Sequence, residues 1–149
     1  MYSAGKHSLI DKVRSLLRKK QAPSALSAPI AELLPEKELR QLDKIVNAWV
    51  GGKAYRMPDR SVEECAKRMG TTSVKLHRYC LQRLGKDFRA WRTELRMEDA
   101  KQMLLADPTI TASCVGRRVG VMDRSNFFRQ FTAHTGSSPD AWRRQQLEG

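Results

Sequence analysis

SVEECAKRMGTTSVKLHRYC, residues 61–80, and TASCVGRRVGVMDRSNFFRQF, residues 111–131, are one pattern written twice. Displaced by 50 positions, Ser61 meets Thr111, Cys65 meets Val115, Ala66 meets Gly116, Met69 meets Val119 and Gly70 meets Gly120. Displaced by 51, which allows one extra residue in the second turn, Thr72 meets Asp123, Leu76 meets Phe127, Arg78 meets Arg129, Gly85 meets Gly136, Trp91 meets Trp142 and Arg92 meets Arg143. Each copy reads as a short helix, a turn opened by glycine, and a longer helix capped at Thr72 or Asp123, which is the order of a helix-turn-helix. The small residue four before each glycine, Ala66 or Gly116, lets the two helices approach. The glycine suits a left-handed residue ending the first helix.

On the second helix of each copy, residues four and eight after the cap share one side at 100° per residue and form the core: Leu76 and Cys80, then Phe127 and Phe131. Residues two, three and six after the cap fall opposite: Val74, Lys75 and Arg78 in the first copy, Ser125, Asn126 and Arg129 in the second. In a helix-turn-helix this outward face, close to the helix N-terminus, enters the major groove. Its chemistry suits base edges, since Arg presents two donors to guanine O6 and N7, Asn pairs bidentately with adenine, and Val74 can touch a thymine methyl. Thr71, Thr72 and Ser73 lie at a helix start, where N–H groups hold a phosphate without reading sequence. Asp123 caps its own helix. His77 sits on the flank of the reading face, whereas Trp91, Trp142 and His134 are read as structural.

Outward from the repeat, the punctuation stays helical. Ser61 with Glu64 forms a capping box, Thr111 follows Asp107-Pro108, and Ser138-Pro139-Asp140 reads as cap, first position and acid. Alternation long enough for a sheet is absent. The sequence predicts an all-α domain with helices at 36–50, 62–69, 73–84, 88–105, 112–119, 124–135 and 139–146, the first placing Pro35 at a helix start. Upstream, residues 6–20 carry Leu9, Ile10, Val13, Leu16 and Leu17 opposite a basic face, and Ala22–Pro29 has the composition of a linker. The predicted organisation is therefore 1–34, basic amphipathic helix and linker, and 35–149, a DNA-binding domain made of helix-turn-helix 61–84, linking helix 88–105 and helix-turn-helix 111–135.

The 149 residues include 28 Lys and Arg against 16 Asp and Glu, a net charge of +12, so a polyanionic partner is expected. The longest uncharged stretch, Gln21–Ala31, spans 11 residues, where a membrane-spanning helix needs about 20. Charges throughout the first 20 residues interrupt any secretory signal. Cys65, Cys80 and Cys114 are odd in number and widely spaced, which supports neither a disulfide framework nor a zinc site. They are read as small apolar residues in a reducing, cytoplasmic setting.

The second copy, V-G-R-R-V-G-V-M-D-R-S-N-F-F-R-Q-F over 115–131 followed by G-S-S-P-D-A-W-R over 136–143, resembles the AraC/XylS family of bacterial transcription regulators, whose signature ends G-x-S-P-x-x-Y/W-R. Residues 61–80 and the L-R-M-E-D-A of 95–100 agree, and the resemblance covers about 36–146. It implies that the linking helix joins two subdomains with both reading helices on one side of DNA. By position it implies base contacts from Val74, His77 and Arg78 and from Arg124, Ser125, Asn126 and Arg129. Three residues depart from the family pattern: Val121 and Cys80 stand where Phe is customary, and Gly116 where Ala is. The family's frequent effector-binding β-domain is not expected within this chain.

Three functions compete at this level. A sequence-specific regulator would insert its two recognition helices into successive major-groove segments of double-stranded DNA, about 34 Å apart, with RNA polymerase as its second partner and no cofactor or metal. A non-specific polyanion module would bind nucleic acid or an anionic membrane surface by charge alone, for example as the output part of a longer sensor protein. Residues 1–57 keep that reading open, with 11 basic and 5 acidic side chains. For residues 6–20, a phosphate-binding arm, a solvated helix and a segment following a membrane or sensor part all remain open. An enzyme is not expected, because no Ser/His/Asp, Cys/His or phosphate-loop arrangement is present.

Overall fold

Among the described residues, every α-helix after the first begins at a short polar side chain that accepts from one of its otherwise unsatisfied backbone N–H groups. The computed structural model describes residues 33–58 and 60–149, and the expected helix 6–20 and linker 22–29 lie outside the described residues. The order is α1 (Glu36–Gly51), a 3-10 turn (Ala54–Arg56), α2 (Val62–Met69), α3 (Ser73–Tyr79), a π turn (Cys80–Leu84), α4 (Phe88–Ala106), α5 (Ala112–Arg118), α6 (Arg124–Thr135) and α7 (Pro139–Glu148). Ser61, Thr72, Thr111, Asp123 and Ser138 accept hydrogen bonds from the N–H three residues on, opening α2, α3, α5, α6 and α7. Asp87 does the same for Ala90 at the start of α4.

The fold is all-α, as predicted. Three details differ. Pro35 precedes the first turn of α1 rather than standing in it, the helix expected over 73–84 widens to a π turn from Cys80, and the 3-10 turn was not expected.

Two compact units divide the described residues: 33–54 with Arg60–Arg92, and 55–58 with Thr93–Gly149. In the first, α1 buries Leu39, Leu42, Val46, Trp49 and Val50, while α2 adds Cys65 and Ala66 and α3 adds Leu76 and Tyr79. Full burial of a side chain such as Leu76 contributes roughly 1.5–3 kcal/mol. Trp49, Phe88 and Trp91 form a ring cluster with centroids 5.4–6.1 Å apart, so Trp91 is a core residue. Burial pushes the Cys80 thiol up to about 12, with nearby Asp87 adding to the effect, which leaves it a neutral apolar filler. Leu34 is buried too, its N–H bonded to Gln82 Oε1 at 2.8 Å.

The second unit packs Met97, Ala100 and Leu104 of α4 against Val115, Val119, Val121, Phe127, Phe131 and Trp142. Residues 55–58 join it although they precede the first helix-turn-helix in sequence. Arg56 forks onto Asp99 at 2.6 and 2.8 Å, and Tyr55 donates its hydroxyl to the same carboxylate at 2.9 Å. Arg96 donates to the carbonyls of Tyr55 and Met57 at 2.7 and 2.9 Å. Asp99 is thus a buried charge that is fully paired, the condition under which burial is tolerated.

Candidate nucleic-acid interface

In each unit the turn is set by backbone geometry before any side chain matters. Gly70 and Gly120 adopt φ of +84° and +101°, and the residue after each returns its N–H to the small residue at the head of the turn, Thr71 to Ala66 O and Val121 to Gly116 O, both at 2.9 Å. A Cβ on Gly116 would lie 2.8 Å from Phe127 Cγ, so only glycine admits the close approach of α5 and α6. Arg92 and Arg143, paired by the repeat, do matching work. Arg92 donates to the Arg60 carbonyl at 2.7 Å and Arg143 to the Ile110 carbonyl at 2.8 Å, each the residue just before its unit's helix cap. The repeat flags these arginines, but only the structure reveals their acceptors.

With the core faces of α3 and α6 turned inward, the opposite faces are open. On α3, Val74, Lys75 and His77 are exposed and Arg78 is half-buried. Val74 is 56% exposed, a large apolar side chain left in water beside the helix start. Lys75 Nζ pairs with Glu38 at 3.6 Å, which draws that cation toward α1. Thr72 is exposed, while Thr71 and Ser73 are half-buried. Because the Thr71 N–H is committed to Ala66, its hydroxyl is what remains for a phosphate.

On α6, Arg124, Ser125 and Arg129 are exposed and Asn126 is half-buried. Asn126 closes the cap through its N–H to Asp123 Oδ1 at 2.7 Å and accepts a very short hydrogen bond from Arg129 Nη2 on its Oδ1. Asn126 and Arg129 are therefore brought together, one turn apart. Arg124 Nε donates to Ser113 Oγ at 3.0 Å, and its guanidinium lies 4.4 Å over the Phe128 ring. Neither Ser113, Phe128 nor Glu38 was singled out from the sequence. Phe128 stands four residues after Arg124, a helical spacing that could have marked it.

At its far end α6 is tied to α4 by His134. Its Nε2 and Lys101 Nζ meet the buried Glu98 carboxylate at 2.7 and 2.9 Å. Burial pushes Glu98 up, but the hydrogen bonds and charges of His134 and Lys101 outweigh it and hold the carboxyl at about 2. No helix of the described residues is long and apolar enough to cross a membrane.

A family described as a helix-turn-helix domain matches residues 65–145, more than half of the chain. Among solved structures, the C-terminal domain of AraT, a response regulator from Geobacillus stearothermophilus, is 28% identical with a TM-score of 0.61, over 68% of this chain and 84% of that one. A protein of unknown function from Listeria innocua shares the fold at 21% identity and a TM-score of 0.54, over 78% of this chain and 97% of that one. No curated protein matches. With two glycine-turned helix pairs, open second-helix faces and this likeness, the chain belongs to the AraC-type helix-turn-helix family and is a DNA-binding transcription regulator.

Proposed function

We propose that the chain reads specific double-stranded DNA sequences by inserting α3 and α6 into successive major-groove segments. One observation carries this reading: the two second helices, capped alike by Thr72 and Asp123, leave equivalent faces open while their opposite faces are fully buried. Val74, Lys75, His77 and Arg78 contact bases from the first unit, and Arg124, Ser125, Asn126 and Arg129 from the second. Thr71, Thr72 and Ser73 hold backbone phosphate. Residues 35–149 act as the DNA-binding domain, with α4 linking the two readers, and RNA polymerase is the second partner in the cytoplasm. The likeness to the C-terminal domain of a response regulator supports a further element, that this domain is the output of a regulator answering a signal.

Selection of bound duplexes from a random pool tests the proposal. A recovered motif of two parts, about one helical turn apart, is expected. In that motif Arg129→Ala should weaken binding by about 1–3 kcal/mol and relax preference at one base. Equal loss on selected and random DNA would assign Arg129 to phosphate. The net charge of +12 favours a second reading, non-specific polyanion binding, and a pool that emerges unenriched would establish it.

A further inference from the structure

The guanidinium of Arg124 is held before DNA arrives. Its Nε is committed to Ser113 Oγ at 3.0 Å, from a different helix, and its plane rests 4.4 Å from the Phe128 ring centroid. Phe128 is itself fixed from beneath: it packs on the buried core of the second unit and meets Phe127 edge-on, centroids 6.1 Å apart and planes at 84°. Arg124 nevertheless remains exposed, and it lines a cleft of about 220 Å³ with Thr111, Ser113, Phe128 and Arg143. The side chain is therefore oriented at an open surface, with the two Nη groups left for a ligand.

An arginine has many rotamers, and freezing them on binding opposes association. A stack and a hydrogen bond made in the free protein bear that loss in advance, which is the physical content of preorganisation. We propose that Phe128 and Ser113 are positioning residues for DNA recognition, acting through Arg124. Phe128 supplies the π face beneath the cation and Ser113 fixes the rotation of the guanidinium, so the Nη edge is presented to one base. This rests on the reading of α6 as a recognition helix.

A double-mutant cycle on the full chain separates this role from a structural one. Phe128→Leu keeps an apolar side chain on the core and removes the π face, and Ser113→Ala removes the acceptor. Each should weaken binding to the selected duplex by about 2- to 5-fold and flatten preference at a single base, with Tm controlling for folding. In the Arg124→Ala background neither should have further effect, whereas with Arg124 present Phe128→Tyr, which keeps a π face, should retain the affinity and preference that Phe128→Leu loses.

Equal losses in the two backgrounds would overturn the proposal, because the ring would then act through the fold. So would wild-type affinity for Phe128→Leu. If the wild-type chain binds all duplexes alike, sequence reading fails separately. The cycle, read on that common affinity, then still supports coupling if Arg124→Ala abolishes the effect of Phe128→Leu, and overturns it if both backgrounds lose equally.

Discussion

Gly70 and Gly120 hold the same place in the two units, yet their surroundings differ. Both have positive φ, at which a side chain is strained. Nothing lies within 4 Å of a Cβ built on Gly70, whereas one on Gly120 would stand 2.6 Å from the Arg56 carbonyl oxygen and 3.1 Å from Arg96 Cζ. Gly70→Ala should therefore destabilise by about 1 kcal/mol, from backbone strain alone. Gly120→Ala should lose about 3 kcal/mol or more, because the Arg56 carbonyl belongs to a segment pinned by Asp99 and Arg96. Denaturant midpoints at unchanged m-values would rank the two, and equal losses would show that the 55–58 segment yields freely. The turn glycines were legible from the repeat. The difference between them was not, because Arg56 is 64 residues upstream and no local pattern ties it to Gly120.

The elements were legible to within a residue or two wherever a cap and a glycine bracket them. What periodicity could not give was a reason for the unequal pairs at the helix crossings. The first unit buries Ala66 and Leu76, whereas the second buries Gly116 and Phe127 at the equivalent places. The larger ring occupies the room that a Cβ would need, so the departure at Gly116 is compensated packing rather than a weakness. Gly116→Ala should thus be destabilising by about 1–3 kcal/mol through overpacking, even though Ala is the better helix former by about 1 kcal/mol. Adding Phe127→Leu, which copies the first unit's pair, should recover part of that loss. Thermal unfolding followed by circular dichroism would measure both. A stabilising Gly116→Ala would mean that α5 and α6 separate easily. The pairings at the proposed reading face were also hidden from the sequence: Lys75 with Glu38 and Arg124 with Ser113 join residues on different helices, and only packing sets those distances.

At the scale of the whole molecule, the proposed function makes charge and sequence reading separable contributions to DNA affinity. Residues 1–32 hold six basic side chains, Lys6, Lys12, Arg14, Arg18, Lys19 and Lys20, against Asp11 and Glu32. Truncation after Glu32 spares Leu34, which the predicted boundary leaves in the N-terminal segment 1–34 but which is buried and hydrogen-bonded to Gln82. Both helix-turn-helix units then keep every described core residue. Each lost cation that had touched phosphate flattens the slope of log K against log salt by about 0.9, without altering which bases are preferred. The truncated chain is accordingly expected to bind more weakly at low salt, with a shallower salt dependence and the same ranking of duplexes as the full chain. Titrations of a selected and a scrambled duplex over a range of salt concentrations would read all three quantities. A truncated chain that keeps its Tm but binds both duplexes equally would place the discrimination in residues 1–32, and α3 and α6 would then be cationic surfaces rather than readers of sequence.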